Sequence, residues 1–342
     1  MRYQRLWGLL ALILLATAQG VSQGSDQPVI VNLMIDALMP QMTSSTTTQE
    51  QAKEADSALN NIYNHINDRG QVGTIFAPQD VIRSNLDLPL TRIGLNSKFE
   101  LAISGNNSNE NISTMPYVEQ LDSLKISKRF VENCKVCGTN NITVYGFMPQ
   151  SFQQNQDTYK VLDDLDIQYN AGFQAGLLYT PGHENDVWPY PVLGHKFYAV
   201  PVSTYDANGK KMVLRDSYFK DNGLDANQWY EAMVAKFDQI QGKDEPLVIS
   251  LTTPVSGSGE YLDALFSFLD YAMSKEATFV TTMQLVTLAK TGARDISSLL
   301  PENESGVCLT CGQEGVGYTM SIGANVTNPV QASNNTTGVA AH

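Results

Sequence analysis

The amino-acid sequence predicts an α/β fold in which helices cover a mostly parallel sheet. Short runs of apolar residues, typical of strands buried on both faces, recur along the chain at 29–35, 74–77, 100–103, 142–147, 197–202, 247–251 and 278–281. Helical patterns lie between most of these runs, with Leu59, Ile62 and Ile66 on one face of the first pattern and Leu265 and Leu269 on one face of the last. Strand followed by helix, repeated this often, favours a (β/α) barrel or a doubly wound sheet.

The two ends of the chain differ from its middle in composition. At the start of the chain, basic residues precede an apolar run, and the small residues of Ala16-Thr17-Ala18 follow it. This order predicts a signal peptide over 1–18. From residue 299 the sequence is rich in Gly, Ser, Asn and Thr without periodicity, which predicts a polar tail over 299–342. The barrel is expected over 27–298. Because no further apolar run could cross a bilayer, we expect a protein that is secreted or at the envelope exterior, without a transmembrane anchor after cleavage.

The charge of the chain excludes one class of partner. The 342 residues include 22 Lys and Arg against 35 Asp and Glu, a formal net charge of −13. Without a basic cluster to neutralise a phosphate backbone, nucleic acid is not an expected partner, and no particular oligomeric state is indicated. In an exported chain the Asn-x-Ser/Thr triplets are expected glycan acceptors, and they begin at Asn106, Asn111, Asn141, Asn303, Asn325, Asn334 and Asn335.

Three segments of the chain resemble the polysaccharide deacetylase family, which is also described as NodB-like or carbohydrate esterase family 4. They are VIVNLMIDAL at 29–38, the stretch beginning GFMPQSF at 146–173, and the stretch beginning PLVISLTT at 246–286. The resemblance implies a distorted (β/α) barrel with its site at the carboxyl ends of the strands. It also implies removal of an acetyl group from an N-acetyl sugar with one divalent metal, which an aspartate and two histidines hold while a neighbouring aspartate activates water.

Compared residue by residue, the family's metal ligands are missing from this sequence. The metal-binding aspartate falls on Ala37, and the two histidines fall on Ser104 and Ser108. A methyl group cannot bind a metal, and a neutral hydroxyl is a poor zinc ligand compared with an imidazole. No catalytic metal site is therefore expected at these three positions.

The remaining roles of the family's site also fall on altered residues, with one exception. The base falls on Asp36, the general acid histidine on Thr253, and the arginine of the third motif on Phe147. Neither threonine nor phenylalanine can replace the group it stands for. Asp36 is therefore expected to be a vestigial base.

One loop in the second half of the chain is dense in groups that could bind a ligand. Its candidate binding residues are His183, Asp186, Trp188 and Tyr190. The aromatic rings could stack on sugar rings, or the histidine could form a replacement metal site with Asp36. A rigid loop that packs over the barrel mouth with its polar groups hydrogen-bonded is the structural alternative.

The four cysteines form two matched Cys-x-x-Cys pairs, each followed by Gly. The first pair is Cys134 and Cys137, and the second is Cys308 and Cys311. Two such pairs can close a tetrahedral four-thiolate zinc site, whereas export favours disulfides. Structural zinc and disulfides both stay open, and either would tie the tail to the end of the helix near residue 131.

These patterns lead to one main hypothesis and two alternatives. The main hypothesis is a secreted, non-catalytic protein that binds carbohydrate or another cell-envelope polymer on a deacetylase-type barrel. The first alternative is an active hydrolase of carbon–nitrogen bonds in carbohydrate that uses a non-standard site around Asp36 and His183. The second is a structural or adhesive surface glycoprotein whose barrel is only a scaffold.

Overall fold

A computed structural model describes residues 27–40, 48–85, 87–96, 98–133, 142–207, 209–294 and 296. Its strands are β1 (Ile30–Asp36), β2 (Thr74–Ala77), β3 (Glu100–Ile103), β4 (Gly146–Phe147), β5 (Tyr169–Gln174), β6 (Tyr190–Pro191), β7 (Tyr198–Val202), β8 (Thr204–Ala207), β9 (Lys210–Val213), β10 (Leu247–Thr252) and β11 (Thr278–Val280). Its α-helices are α1 (Thr48–Asp68), α2 (Gln79–Ser84), α3 (Tyr117–Glu132), α4 (Gln156–Asp164), α5 (Asp216–Asp221), α6 (Ala226–Ile240), α7 (Thr253–Ser256), α8 (Gly259–Ser274) and α9 (Thr282–Thr291). Strand and helix alternate through most of the described chain, as the sequence predicts.

Most of the strands lie in one curled sheet. Its order is β10-β1-β2-β3-β4-β5-β7-β6, and β11 pairs with the first half of β1. All neighbouring pairs are parallel except β6 and β7. Strands β8 and β9 form a separate antiparallel hairpin. This arrangement confirms the predicted parallel α/β fold and, between the two alternatives, favours the distorted barrel.

Two short connections join the ends of the curled sheet. The amide of Ser203, just after β7, donates to the carbonyl of Val248 in β10 at 2.9 Å. The amide of Leu214, just after β9, donates to the Ser203 carbonyl at 2.9 Å, and the amide of Ser250 donates to the Leu214 carbonyl at 3.0 Å. The segment after β9 therefore fills the gap between β7 and β10 and brings its side chains to the barrel.

Residues of β1 alternate between the helices and the barrel interior. Leu33 and Ile35 belong to the large apolar cluster that lies beneath the helices. Met34 packs in a second cluster with Phe76 of β2, inside the barrel. Since successive side chains of a strand point to opposite faces, Asp36 faces the interior with Met34. Its position as the last residue of β1 places it at the carboxyl end of the strands.

Helix α9 closes the opposite end of the barrel. Its Leu285 packs in the interior cluster. The amide of Thr282 donates to Oγ1 of Thr74 at 2.7 Å, and the amide of Met283 donates to Oε2 of Glu100 at 2.8 Å. Because Thr74 and Glu100 are the first residues of β2 and β3, these bonds attach the start of α9 to the amino ends of the strands.

Several expectations concern residues outside the described ranges. They are the signal peptide, the tail, and the cysteines Cys134, Cys137, Cys308 and Cys311. The domain boundaries likewise stay predictions. Among the described helices, none is long and apolar enough to cross a membrane.

Candidate site at the barrel mouth

The candidate site is built around the fully buried Asp36. One of its oxygens, Oδ2, lies 3.3 Å from Nη2 of Arg215. Arg215 follows β9 and pairs in parallel with Ser250 of β10, which directs the guanidinium into the barrel. The guanidinium also lies over the ring of Phe152, 4.7 Å from its centroid. The sheet therefore holds a buried ion pair at the carboxyl ends of the strands, which we call the barrel mouth.

A second buried carboxylate follows Arg215 in the chain. Asp216, the first residue of α5, accepts hydrogen bonds at 2.7 Å from the amide of Thr252 and from the hydroxyl of Ser256. The amide of Ser217 donates to its other oxygen at 2.6 Å. Asp216 thus joins the end of β10 to α7 and α5, with its charge satisfied by donors.

The two carboxylates share an environment that disfavours charge. Burial raises the pKa of Asp36 to about 7, with Arg215 opposing this effect and Asp216 adding to it. Burial also raises the pKa of Asp216 to about 6, although the hydrogen bonds from Thr252 and Ser256 oppose the rise. At neutral pH the pair therefore keeps part of one proton, and the single guanidinium balances most of the remaining charge.

The three positions expected to lack metal ligands lie in or beside the carboxyl end of the barrel. Ala37 follows Asp36 and is fully buried. Ser104 follows β3 with 3% of its surface exposed, and no described residue pairs with its hydroxyl. The hydroxyl of Ser108 accepts from the Met39 amide at 3.0 Å and donates to Oδ1 of Asp80 at 3.2 Å. The Ser108 hydroxyl therefore already makes hydrogen bonds that hold the loop after β1.

Thr253, at the position of the family's general acid, hydrogen-bonds to the same loop. The hydroxyl of Thr253 accepts a hydrogen bond from the Leu38 amide at 2.9 Å and donates to the Leu38 carbonyl at 3.1 Å. Together with Ser108, Thr253 fixes the backbone of residues 38 and 39. These two hydroxyls support a loop, and neither is directed at a reacting group.

The residues present do not fit a catalytic divalent cation. Within the described ranges, no three His, Cys, Asp or Glu side chains come close enough to hold a metal. Asp36 faces the guanidinium of Arg215, whose positive charge opposes a metal at the same oxygen. A hydroxyl at Ser104 cannot offset that repulsion, because neutral oxygen is a weak ligand compared with an imidazole.

Five buried polar atoms near the mouth have no hydrogen-bond partner among the described residues. They are Oδ1 of Asp36, Nε of Arg215, Oγ of Ser104, Oε1 of Gln150 and Oγ of Ser250. Gln150 lies beside Ser104, since its Nε2 donates to the Ser104 carbonyl at 3.2 Å. The mouth is thus polar as well as charged.

Sequence reasoning missed Arg215, Asp216 and Gln150. A signal for the first two is present, because an Arg-Asp pair directly follows the apolar residues Met212, Val213 and Leu214. Charged residues next to a buried strand end are rarely buried unless they are paired. The partner, however, lies 179 positions earlier in the chain and cannot be identified from spacing.

The structure brings together three of the four loop residues. His183 bonds through Nδ1 to Oδ2 of Asp186 at 2.6 Å and stacks on Tyr190 with ring centroids 4.0 Å apart. The Tyr190 hydroxyl accepts a hydrogen bond from the Thr180 amide at 3.2 Å, and its side chain is buried. Stacking and burial cover the Tyr190 ring. Asp36 shares none of these contacts, so the described residues do not join it to His183.

Trp188 is held by residues at another part of the barrel. Its Nε1 donates to the carbonyl of Asp244, which precedes β10, at 3.1 Å. The guanidinium of Arg294, which follows α9, lies 4.1 Å from the Trp188 ring centroid and forms an ion pair with Asp244. The ligand-binding role predicted for this loop stays a prediction.

A groove lies beside the loop that Thr253 fixes. Its volume is about 90 Å³. The lining combines aliphatic side chains with hydroxyl, amide and carboxylate groups, and it includes Leu38, Pro40, Glu54, Ser57, Asn61 and Ser258. This volume is below the ~300–1,000 Å³ of typical small-molecule pockets, so the groove can contact only part of a ligand.

Comparison with known proteins identifies the fold type. Neither a protein-family model nor a curated protein sequence matches the chain. The structure is similar to that of Puue allantoinase, with a TM-score of 0.61 and 14% identity over 79% of this chain and 93% of that one. It is also similar to a protein assigned as a polysaccharide deacetylase from Pseudomonas aeruginosa PAO1, with a TM-score of 0.60 and 13% identity over 78% of this chain and 93% of that one.

A third similar structure is a protein assigned as a polysaccharide deacetylase from Mycobacterium smegmatis. The TM-score is 0.58 and the identity 16%, over 82% of this chain and 93% of that one. Likeness at this level of identity shows the fold. The chain therefore has the distorted (β/α) barrel of the polysaccharide deacetylase type that the sequence resemblance implies.

Proposed function

We propose that the protein is a secreted or envelope protein that binds carbohydrate on a deacetylase-type barrel without catalysing deacetylation. The proposal depends on one observation: the residues at the positions of the family's metal ligands and general acid either hydrogen-bond to a loop or lack a polar group. Ser108 and Thr253 hydrogen-bond to the loop after β1, and Ala37 offers only a methyl group. A carbohydrate partner is inferred from the fold, which proteins assigned as polysaccharide deacetylases share.

The absence of catalysis follows from what amide hydrolysis requires. A metal in such a site acidifies water and stabilises the oxyanion, and together these effects supply most of the rate enhancement. Asp36 alone could take a proton, but its carboxylate is fully buried and paired with Arg215. With no acid at Thr253, the leaving amine would also depart without a proton.

The groove beside Thr253 is the place we propose for the carbohydrate. Its hydroxyl, amide and carboxylate groups can hydrogen-bond sugar hydroxyls, and Leu38 and Pro40 supply aliphatic contact. The loop that contains Trp188 is the other candidate. In that loop, His183 already stacks on Tyr190 and Arg294 already lies over the ring of Trp188.

Activity is tested by acetate release from the full secreted chain. The substrates are N-acetylglucosamine oligomers and acetylated xylan, each incubated with Zn²⁺, Co²⁺ or Ni²⁺ in excess. We expect release no faster than in buffer, and the same result for Asp36→Asn. Metal-dependent release that disappears in Asp36→Asn would instead establish the active hydrolase.

That alternative has one observation in its favour. Burial raises the pKa of Asp36 to about 7, which is the range in which a general base works best at neutral pH. The same property arises in any buried carboxylate, and the described residues bring no second acid or base to Oδ1 of Asp36. The activity assay therefore distinguishes the non-catalytic binding protein from the active hydrolase.

Binding is tested with a glycan array followed by calorimetry on the ligands it finds. Ser57→Trp fills the proposed groove, and Ser57→Ala is its matched control, because Ser57 is an exposed residue of the lining. We expect the first variant to lose affinity at least tenfold and the second to keep it. Loss on Trp188→Ala alone would move the site to the loop, and an array without any ligand would favour the structural or adhesive role.

Export and the state of the cysteines are proposals from the sequence. Of the glycan acceptors in described residues, Asn111 is exposed and Asn106 is partly buried, so both are within reach of the surface. Glycopeptide mapping of protein collected outside the cell tests export and occupancy. Metal content and thiol counting on the same sample separate structural zinc at Cys134, Cys137, Cys308 and Cys311 from disulfides.

A further inference from the structure

We propose that the ring of Phe152 is a plug that closes the barrel mouth, and that the strained turn carrying it moves outward to open the interior. Phe152 lies between β4 and α4, at the carboxyl ends of the strands, and is 9% exposed. Its ring packs in the apolar cluster inside the barrel, the cluster that also contains Met34 and Phe76. The chain therefore places a large aromatic side chain in the opening through which a ligand would enter.

The plug lies on the guanidinium of Arg215. The guanidinium carbon is 4.7 Å from the centroid of the Phe152 ring, a distance at which the ring attracts the cation. Arg215 is 6% exposed. Because the ring covers the guanidinium on one side, the access of a reagent to Arg215 reports on the position of Phe152.

The backbone of this turn is strained at two consecutive residues. Ser151 has φ 54° and ψ 24°, and Phe152 has φ 58°. This left-handed region is unfavourable for a residue with a Cβ, and such a conformation persists only where the surrounding contacts impose it. The Ser151 side chain is exposed, so the burial of the Phe152 ring is the contact that imposes it here.

Hydrogen bonds on both sides of the turn confine its movement to residues 151–153. Nε2 of Gln150 donates to the carbonyl of Asn107, in the loop after β3, at 2.7 Å. Nε2 of Gln154 donates to the carbonyl of Gly172 in β5, also at 2.7 Å. Rotation of the backbone between these two bonds withdraws the ring and relieves the left-handed conformation, while the strands and helices keep their positions.

Closure of the mouth also leaves buried polar atoms without a partner. Among the described residues, none pairs with Nε of Arg215 or with Oε1 of Gln150. Such atoms are unfavourable in the closed mouth, and withdrawal of the Phe152 ring lets water or ligand hydroxyls reach them. Burial of the ring and its contact with Arg215 favour the closed state, whereas backbone strain and unpaired atoms oppose it. Opposing contributions of this kind make a two-state element that a ligand can bias.

Chemical modification of Arg215 measures the opening in the full chain. Phenylglyoxal reacts with accessible guanidinium groups, and peptide mapping follows Arg215 separately from the exposed Arg129, which serves as the internal standard. We expect Phe152→Ala to accelerate the modification of Arg215 by about tenfold, because the apolar and cation–π contacts that close the mouth are lost. The rate at Arg129 should stay the same.

A pair of glycine substitutions tests the strain itself and does not depend on whether Phe152→Ala folds. Ser151→Gly relieves the left-handed backbone of the closed state and should slow the modification of Arg215 by about threefold. Gln153→Gly, at φ −83° in the same turn, is the matched control. It adds backbone freedom without relieving strain, so it should leave the rate unchanged or raise it.

Two results would overturn the inference. The first is an unchanged rate of Arg215 modification in folded Phe152→Ala, which would mean that the ring does not close the mouth. The second is an equal effect of Ser151→Gly and Gln153→Gly, which would mean that strain does not oppose closure. Arginine modification requires no ligand, so these outcomes are independent of whether carbohydrate binds in the proposed groove.

Discussion

The hydroxyl of Thr253 both accepts a hydrogen bond from the Leu38 amide, at 2.9 Å, and donates one to the Leu38 carbonyl, at 3.1 Å. Ser108 holds the next residue in the same manner through the amide of Met39. In the family that the sequence resembles, these two positions hold histidines with catalytic or metal-binding roles. Here the two hydroxyls fix two consecutive residues of the loop after β1.

Thr253→Val tests this structural role. Valine keeps the shape of threonine but leaves the Leu38 amide and carbonyl unpaired, so we expect the free energy of unfolding to fall by about 1–3 kcal/mol. Denaturant unfolding measures the change, and hydrogen exchange should accelerate at Leu38. Thr291→Val, at the exposed end of α9, removes a comparable hydroxyl and should change stability by less than about 0.5 kcal/mol. Equal effects of the two substitutions would contradict the role.

Ser250 and Ser256 offer a matched comparison of a free and a bonded hydroxyl. Both are fully buried, but no described residue pairs with the Ser250 hydroxyl, whereas that of Ser256 donates to Asp216 at 2.7 Å. Ser250→Ala should be neutral or stabilising by up to about 1 kcal/mol, and Ser256→Ala should destabilise by about 2 kcal/mol. Calorimetry of both variants measures these changes in stability. A larger loss of stability for Ser250→Ala than for Ser256→Ala would show that the Ser250 hydroxyl has a partner.

The fold was accessible from the sequence because most strands of its parallel sheet are short apolar runs. β1, β2, β3 and β10 fall within or close to predicted runs, since they are buried on both faces and need no polar alternation. The run at 142–147 is the exception, because only Gly146 and Phe147 form a strand. Apolar character predicts burial, and burial does not require a ladder of hydrogen bonds.

The sequence could predict only those site residues that belong to a recognisable local motif. Asp36 could be identified from the motif at the end of one strand. Arg215 could not, because its partnership with Asp36 depends on how the segment after β9 enters the gap beside β10. Trp188 was identified only as a candidate binding residue of its loop. Its contacts with Asp244 and Arg294, which lie far from it in sequence, could not be predicted from spacing.

The pH dependence of stability should report on the buried carboxylates. Their pKa values are raised in the folded state, to about 7 for Asp36 and about 6 for Asp216, from 3.8. At these two groups the folded protein therefore binds more protons than the unfolded chain, so their contribution to stability falls as pH rises from about 4 to about 7. The three-unit shift at Asp36 corresponds to a cost of about 4 kcal/mol once pH exceeds 7.

Asp36→Asn should flatten that dependence. The charged groups that face Asp36 are Arg215 and Asp216, and Asp216 keeps its own smaller contribution. Free energies of unfolding at pH 5 and pH 8 should thus differ less in the variant than in the unaltered protein. Asp270→Asn is the control, because the pKa of Asp270 is lowered by its bond with Arg69 and its contribution has the opposite sign. An unchanged slope in Asp36→Asn would mean that Asp36 titrates normally.

Glu100 should control the attachment of α9 to the base of the barrel. Its carboxylate accepts from the Tyr169 hydroxyl at 2.6 Å, from Thr74 at 3.2 Å and from the Met283 amide at 2.8 Å. Burial raises the pKa of Glu100 in spite of these donors. Glu100→Gln replaces an acceptor of three bonds by an amide whose NH₂ group faces donors, so we expect a loss of about 2–3 kcal/mol.

Tyr169→Phe separates the helix attachment from general loss of stability. It removes one bond to Glu100 and keeps the ring that packs edge-on against Phe76, so it should lower the free energy of unfolding by about 1–2 kcal/mol. Hydrogen exchange at Met283 should accelerate more in Glu100→Gln than in Tyr169→Phe, because only the first change replaces the carboxylate that accepts from the Met283 amide by a weaker amide acceptor. Equal protection of Met283 in both variants would show that α9 is held by its apolar face alone.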